Sequence, residues 1–587
     1  MYKYQLNNWY LKLFSKTGAF TVNEFELFEE VINEIELSMP TIKKSKKAKI
    51  SKKQKNKHKR NILKARIYTK IFVRKQKEKD TSDTYIKDIK VACILDEFSY
   101  NCFKYNVNLL PLTQDNYKKQ LKEFKPQILL VESAWNSYEG GWKVSKQLDD
   151  IIRLLLYCKR RGIKTVFWNK EDPVHFYSYV KKAVYFDYIF TTDSNMIDEY
   201  KERTKKENVF SLMFAAQPKI QNPIKIYDEK EKKAVFAGTF YRNKYKERLR
   251  CLMRMLYISQ KYGLDIYDRN YGKNNPLYVY PSIFHKNIVG NLAYADIAKA
   301  YKGYKVNLNI NSVITSPTML SRRVFEVLAS NTPVISNPSP AIDRYFKDIV
   351  FTGETYDDFI NIYEKLFKDE EFYKKICLQG LREVLTKHTY KKRLEKMFES
   401  IHLNFKKEEN KIAVLGVCDE VKDKDILIKY YEKQNIENAD FILVGPKIQN
   451  NQYKSLTKEK LVSYLKENNY NYICIFNPKN FYGKNYLVDL LTALEYIDNA
   501  EFIGKKAFYN FDNKKLVLEN PDKEYTFSTT DNWDSGMISI KTFLENYNKN
   551  NILKPKNELK IFSIDSYNFV KDGTNKLTNE MIEKIEI

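Results

Sequence analysis

Residues 316–336 read SPTMLSRRVFEVLASNTPVIS. A serine and a proline lead into a helix-like stretch, a polar SNTP turn closes it, and a short β-like VIS run follows. Ser316 and Thr318 are both candidate N-caps, and Pro317 suits a first helical turn. Arg322, Arg323 and Glu326 lie inside the stretch. A helix that only fills a core rarely carries such charges near its start. The strand-like VNLNINS (306–312) delivers the chain to this point. First-turn N–H groups and the positive helix end then form an anion site suited to a diphosphate. Arg322 and Arg323 add positive charge, and the Glu326 carboxylate can accept two hydrogen bonds from a ribose diol.

The same grammar extends outward in both directions. From Ile89 onward, KVACILDEF, QILLVES, KTVFWN and YIFTTD read as buried strands, with the helical LDDIIRLLLYCKRRG among them. Apolar strands that alternate with helices and end in polar residues predict an open parallel α/β sheet, with ligands beyond the carboxyl ends of the strands. The Pro-, Lys- and Asn-rich QPKIQNPIKIYDEKEKK marks a boundary. A second α/β unit follows: KAVFAGTF, LDIYDRN, YKVNLNI, the opening stretch and IVFTGET, with helices to about Phe405. Two such halves in tandem place a ligand cleft between them. A third α/β unit begins at KIAVLGVC and contains ADFILVGP, YNYICIF and AEFIGKKAF.

A second phosphate site is suggested by AVFAGTFYRNKYKER. Gly238 comes straight after a strand, with Thr239, Arg242 and Lys244 beside it. A glycine there lets a phosphate approach the backbone, and the basic residues neutralise it. The plainer alternative is a strand-ending glycine next to a solvated helix face.

Composition bounds these readings. A chain of 587 residues, 43% apolar and 14% aromatic, is long enough for roughly three to five domains with buried cores. Seven scattered cysteines form no CxxC pair and no close Cys/His grouping, which argues against a disulfide framework and a structural zinc site and suits a reducing cytoplasm. No window approaches about 18 uninterrupted apolar residues, and the N-terminus lacks the apolar region of a signal peptide. The net charge of +27 is concentrated: residues 41–80 carry +16 and the rest of the chain only +11. A global nucleic-acid footprint is therefore absent. The basic run could bind anionic lipid headgroups, an anionic polymer or nucleic acid. It could also pair with the acidic helix predicted within residues 1–40, where Phe25, Phe28, Val31, Ile32 and Ile35 share a face.

The order AVFAGTFYRNKYKERL, LDIYDRNYG, the 292–336 stretch and LTKHTYKKRL resembles the C-terminal domain of GT-B glycosyltransferases, and most closely the group related to CgeB-type spore-maturation proteins. ILDEFSYNCF, ILLVESAWN, TVFWNKEDPVHF and FDYIFTTD resemble the N-terminal domain of the same enzymes. The resemblance covers roughly Ile89 to Phe405. It implies sugar transfer from a nucleotide-sugar, with Glu326 on the ribose and Gly238 and Thr239 facing the phosphates. It implies neither metal nor cofactor, the leaving diphosphate being met by a helix N-terminus and basic residues. Many related enzymes carry a second glutamate eight positions before the ribose glutamate; here that position is Thr318.

In the N-terminal half, strand ends supply Asp96, Glu97, Glu132, Glu171 and Asp172, with His175 following. For a base toward an acceptor hydroxyl, Asp96, Glu132 and His175 are the candidates. The alternative is that His175 caps a loop and Glu132 anchors a turn. Trp135, Trp142 and Trp168 could stack on a sugar or pack in the core. The third unit's YICIFNPKNFYGKNYLVDLL resembles the GT-A segment in which an Asp-rich loop holds a divalent ion. Here that loop is Asn477, Pro478, Lys479 and Asn480, which cannot do so. Asp531 and Asp534, at the end of the resembling frame, are left without partners.

The expected architecture is therefore a basic helical extension (1–88), an acceptor-side Rossmann-like domain (89–222), a donor-binding Rossmann-like domain (223–408) and a degenerate GT-A-like domain (409–587). The expected activity is metal-independent transfer from a nucleotide-sugar, a UDP-sugar first among them, to a glycan, lipid-linked or protein acceptor in cell-surface glycan synthesis. The expected place is the cytoplasm, peripheral at the inner membrane face through residues 41–80. The rival readings are a non-catalytic nucleotide- or glycan-binding protein of the same fold, and a binder of nucleic acid or anionic polymer.

Overall fold

The structure is a computed structural model that describes residues 22–37, 81–242, 244–273, 275–445, 452–498 and 501–587. The basic run 41–80 lies outside the described residues. The chain forms two compact units. One comprises the described residues up to 217 together with those of 229–380 and 387–406; the other comprises 218–228, 381–386 and the described residues from 407 on.

The first unit is built on two six-stranded parallel sheets. In the first sheet, β1 (Lys90–Ile94), β2 (Asn108–Pro111), β3 (Ile128–Glu132), β4 (Lys164–Asn169), β5 (Tyr188–Thr191) and β6 (Val209–Ser211) take the order β2-β1-β3-β4-β5-β6. Helices α1 (Val22–Leu37), α2 (Glu97–Phe103), α3 (Tyr117–Phe124), α4 (Leu148–Lys159), α5 (Phe176–Ala183) and α6 (Ile197–Thr204) precede or alternate with these strands. Val91 pairs with Ile128 and Val131 with Phe167, and every residue of β3 is buried. Burial on both faces is why these strands read as unbroken apolar runs.

The second sheet contains β7 (Glu231–Gly238), β8 (Leu264–Asp268), β9 (Ile288–Gly290), β10 (Tyr304–Leu308), β11 (Val334–Ser336) and β12 (Phe351–Thr352), in the order β12-β11-β10-β7-β8-β9. Its helices are α7 (Lys246–Tyr262), α8 (Ile297–Gly303), α9 (Arg322–Ala329), α10 (Pro340–Tyr345), α11 (Tyr356–Lys368), α12 (Glu370–Lys387) and α13 (Tyr390–Ser400). Each sheet reverses its winding once, between β1 and β3 in the first and between β7 and β10 in the second. A crevice opens outside the strand ends at such a switch point. Helix α13 crosses back to the first half: Arg393 donates to the Met213 and Phe214 carbonyls, and Tyr390 packs edge-on to Phe103.

Helix α1 belongs to the second half. Phe28 and Ile32 are fully buried in its core, Phe28 stacks on Tyr257 at 4.1 Å, and Phe25 stacks on Tyr356 at 4.3 Å. Each such side chain contributes roughly 1.5–3 kcal/mol of burial. Its acids pair with α7, Glu36 with Arg250 at 2.5 Å and Glu29 with Arg254 at 2.6 Å. Among the described residues the acidic helix thus has its cations on α7 of the second half.

The second unit has an eight-stranded mixed sheet made from β13 (Ile412–Val417), β14 (Ala439–Val444), β15 (Lys454–Leu456), β16 (Tyr472–Phe476), β18 (Phe502–Gly504), β21 (Thr526–Thr530), β22 (Gly536–Ser539) and β23 (Leu559–Ser563). The first four run parallel, and β22 lies antiparallel between β16 and β18. A smaller sheet joins β17 (Phe481–Tyr482), β19 (Phe508–Asp512), β20 (Lys515–Glu519) and β24 (Phe569–Lys571). The proline-rich stretch after residue 217 is packed into this unit: Lys219 pairs with Asp498 at 2.6 Å and Lys225 donates to the Asp522 carbonyl. Among the described residues, no helix is long and apolar enough to cross a membrane.

Candidate donor and acceptor site

The candidate donor side lies where β7 and β10 part. Gly238 is the last residue of β7, and its carbonyl accepts from Arg269 N–H and the Tyr280 hydroxyl. A Cβ on Gly238 would lie 2.7 Å from the Phe236 ring, so the close approach requires glycine. Thr239 follows, its hydroxyl 3.4 Å from the Asn270 amide. Arg242 does not face a phosphate-sized space freely; it is tied to the far side of the loop by donating to the Val279 carbonyl at 2.8 Å.

The opening helix begins later than its sequence suggests. Helix α9 starts at Arg322 with Ser321 as N-cap, so Ser316, Pro317 and Thr318 belong to the preceding loop. An asparagine cluster sets this start. Asn311 accepts from Ser321 N–H at 3.1 Å, while Asn337 accepts from Asn311 N–H at 2.7 Å and donates back to its carbonyl. Ser316 and Thr318 therefore do other work: they join the halves. The Ser316 hydroxyl donates to Asp193 at 2.5 Å. The Thr318 hydroxyl donates to the Thr192 carbonyl at 2.9 Å and accepts from Ser194 N–H at 2.8 Å.

Arg323, in the first turn of α9, donates to the Ala237 carbonyl one residue before Gly238, and its buried Nε has no partner among the described residues. Arg248, in the first turn of α7, is only 7% exposed. Its Nη2 makes one long bond to the Thr239 carbonyl at 3.4 Å, and its Nε and Nη1 have no partner among the described residues. Burial pushes its pKa down to about 10, with neighbouring Arg323 acting in the same direction. Two guanidiniums with unsatisfied N–H groups and no carboxylate bonded to either are poised for an anion. Arg248 was not among the residues expected from sequence. Its signal is spacing: with Leu252, Met255 and Ser259 it lies on the buried face of α7.

Glu326 is 1% exposed. Tyr301 donates to its Oε2 at 2.6 Å, and its Oε1 has no hydrogen-bond partner, with Arg322 Nε 3.8 Å away. One carboxylate oxygen thus remains for a ligand hydroxyl. Arg322 points the other way from Arg323: its guanidinium lies over the Phe98 ring at 3.5 Å and near Tyr294 at 5.4 Å.

Phe98 belongs to the other half, and the same ring lies 6.0 Å from Lys170 Nζ. It is the link to the acceptor-side candidates, which gather at the β1–β3 switch point. Asp96 caps α2, accepting from Ser99 N–H at 2.8 Å. Glu132, at the end of β3, is fully buried and accepts from Asp96 N–H at 2.5 Å. Lys170 follows β4 and bridges both, 2.5 Å from Asp96 and 2.9 Å from Glu132. Burial raises the Glu132 pKa to about 7 against the pull of Lys170. Burial also acts on Asp96, but the charge and hydrogen bond of Lys170 outweigh it and hold Asp96 below its usual range. Lys170 escaped the sequence reading because one lysine between an asparagine and two acids resembles a solvated turn.

His175 is not brought to this cluster. It precedes α5 and packs edge-on against Trp135, ring centres 5.2 Å apart. Trp135 is 47% exposed, three residues after Glu132. Trp142 and Trp168 are core residues, their indole N–H groups bonded to the Leu112 and Leu212 carbonyls. Asp172 is also buried, satisfied by Asn169, Thr191 and Tyr200, and burial raises its pKa to about 7.

Residues 253–399 match the family model described as glycosyl transferase-like. That span holds most of the second half, including α9. No curated protein matches the sequence. Solved structures with similarity include an alpha-glucosyltransferase in complex with UDP and a 13-mer DNA containing an HMU base, 10% identical over 53% of this chain and 99% of its own, with a TM-score of 0.40. Anabaena Alr3699/HepE in complex with UDP and glucose is 8% identical over 54% and 100%, with a TM-score of 0.37. T4 phage BGT in complex with UDP and Mn2+ is 13% identical over 54% and 100%, with a TM-score of 0.35.

In the second unit, the loop after β16 differs from its sequence expectation. Asp534 is not without partners: Asn477 and Asn480 both donate to its Oδ2, at 2.8 and 3.0 Å. Both amides turn N–H groups, not oxygens, toward Asp534, so they do not supply the oxygen ligands that a divalent ion needs. Burial raises the Asp534 pKa despite the two amides. Asp531 is exposed, with Lys554 3.9 Å away.

Proposed function

We propose that the protein is a GT-B glycosyltransferase that transfers sugar from a nucleotide-sugar, with UDP the first nucleotide to test. The carrying observation is the pair of unsatisfied guanidinium groups, Arg248 and Arg323, at the exit of β7. A diphosphate supplies what they lack, and charge growing on the leaving group in the transition state strengthens the same bonds. Glu326 is assigned to the ribose, through the oxygen that Tyr301 leaves free. Gly238 lets the phosphates approach the backbone. The acceptor enters over the β1–β3 switch point, opposite Arg322 and Phe98. These groups provide the counter-charge without a metal or cofactor.

The acceptor is proposed to be a glycan, lipid-linked or protein substrate of cell-surface glycan synthesis, reached from the cytoplasm. Residues 41–80 would bring the enzyme to an anionic membrane face. The second unit is proposed as a degenerate GT-A-like domain, in which two asparagines replace a metal as the neutralising partner of an acid. It would serve acceptor binding or assembly.

One observation favours a second reading, a non-catalytic nucleotide- or glycan-binding protein: Thr318 stands where related enzymes carry a sugar-gripping glutamate, and it is committed to the contact between the halves. Isothermal titration of UDP, GDP, CDP and ADP in EDTA, against wild type and Glu326→Ala, tests the donor site. One nucleotide is expected to bind, weakened in the variant by about 1–3 kcal/mol. Release of nucleoside diphosphate from the matching nucleotide-sugar separates enzyme from binding protein. A folded protein that binds none of the four contradicts the assignment.

A further inference from the structure

The group of Asp96, Lys170 and Glu132 holds more charge than a structural ion pair needs. One ammonium serves two carboxylates, which leaves a net charge of −1 largely out of water. Glu132 is 0% exposed and its Oε2 has no partner. Lys170 Nζ is 9% exposed at the side chain, and the Asp96 side chain is 35% exposed. Solvent-facing carboxylate, buried ammonium and fully buried carboxylate therefore stand in series, 2.5 and 2.9 Å apart. Ser99 Oγ lies 3.2 Å from Lys170 Nζ, and Ser133 Oγ accepts from Lys170 N–H. The other ionisable groups facing Glu132 are Cys93 on β1 and Tyr179 on α5, and Arg322 lies across the Phe98 ring. None of these supplies a second cation to the buried end.

We propose that Asp96, Lys170 and Glu132 form a proton relay for the acceptor hydroxyl, and that sugar transfer accordingly proceeds by single displacement with inversion at the anomeric carbon. The inference rests on the nucleotide-sugar reading of the donor site. The acceptor oxygen bonds to the anomeric carbon, and the bond from that carbon to the diphosphate oxygen breaks with its electron pair leaving on the diphosphate. The acceptor proton passes to the Asp96 carboxylate. Lys170 gives one proton to Glu132 Oε1 and takes up the proton from Asp96, so it ends as it began and Glu132 ends neutral. The resting place is favoured: the buried carboxyl holds a proton at neutral pH more readily than Asp96 does. After product leaves, the proton returns by the same path to solvent through Asp96. Asp96 is the catalytic residue; Lys170 and Glu132 are positioning residues that act through it.

The test uses the full chain with α-linked UDP-glucose, UDP-galactose and UDP-N-acetylglucosamine, water as acceptor, and proton NMR of the sugar before it mutarotates. The β anomer is expected first. Asp96→Asn is expected to lower turnover about 100-fold or more with nucleotide affinity unchanged by titration. Lys170→Met and Glu132→Gln are expected to cost less and to move the acidic limb of the pH–rate profile, with Lys170→Arg restoring it in part. Because Glu132 and Lys170 are buried and Asp96 is half-buried, all three variants are read where the thermal transition is retained; in Asp96→Asn the amide oxygen can still cap α2, and unchanged nucleotide affinity reports the fold. Release of the α anomer, wild-type turnover by Asp96→Asn, or nucleotide binding without turnover of any of the three donors overturns the relay. Absence of nucleotide binding instead overturns the donor site beneath it.

Discussion

Replacing Arg248 by methionine should make the protein more stable and its nucleotide binding weaker. In the free protein the guanidinium is buried, bonded once at 3.4 Å, and leaves Nε and Nη1 unsatisfied. Burial lowers its pKa from the ordinary guanidinium range to about 10, which corresponds to about 3 kcal/mol held against the charged form at every pH below 10. Each unsatisfied buried donor carries a penalty of about 1–3 kcal/mol of the same origin. Methionine keeps the length of the stem beside Tyr241 and removes the charge, so a gain of about 1–3 kcal/mol is expected after some loss of packing. A phosphate hydrogen-bonded to a charged donor is worth about 1.5–3 kcal/mol, so Kd for the nucleoside diphosphate should rise about 10- to 150-fold. The assay is guanidinium denaturation, following the transition that nucleotide shifts in the wild type, together with isothermal titration. Loss of stability with unchanged affinity would refute the reasoning, because it would mean that Arg248 is satisfied by the protein itself.

Three further outcomes follow from the geometry. The first unit should gain stability as pH falls from 7.5 to 5.5. Glu132 and Asp172 have pKa values raised to about 7, so the folded state binds protons there that the unfolded chain does not, each contributing about 2 kcal/mol over that window; a flat or falling denaturation midpoint contradicts this. Trp135→Ala should raise the acceptor KM about 2- to 10-fold while the nucleotide Kd stays fixed, since the exposed ring follows Glu132 by three residues on the proposed acceptor side; an unchanged KM removes Trp135 from the acceptor path. Asn480→Asp should destabilise the second unit by about 3–5 kcal/mol at pH 7.5, because it sets a carboxylate where an amide donates to Asp534 at 3.0 Å. Recovery on adding Mn2+ would support the GT-A-like ancestry of that loop, and no recovery would count against it.

Much of the fold could be read from the chain because parallel strands covered on both faces leave continuous apolar runs. KVACI, ILLVE and KTVFWN are strands β1, β3 and β4. The sheet order is not local information, yet it is what brings Asp96, Glu132 and Lys170 together from three strand ends. For the same reason Lys170 was invisible while its two acidic neighbours were not: burial of a lysine depends on chain segments 37 and 74 residues away. The helix start was misplaced because serine and proline at 316–317 mimic a cap, whereas the true start is imposed by Asn311 and Asn337 from adjacent strands. Glu326 and Arg323 were legible as a charged pattern near a helix start. Arg248 was hidden in a Lys/Arg-rich stretch in which Lys244 and Lys246 are exposed and Arg242 and Arg250 are bonded elsewhere.

The most direct test of the central claim is a crystal structure of the full chain with the nucleoside diphosphate that binds best in titration, grown without divalent ions. The account predicts the diphosphate against Arg248, Arg323 and the Gly238–Thr239 backbone, with the ribose diol on Glu326. A nucleotide bound elsewhere, with Arg248 and Arg323 unchanged, would contradict it.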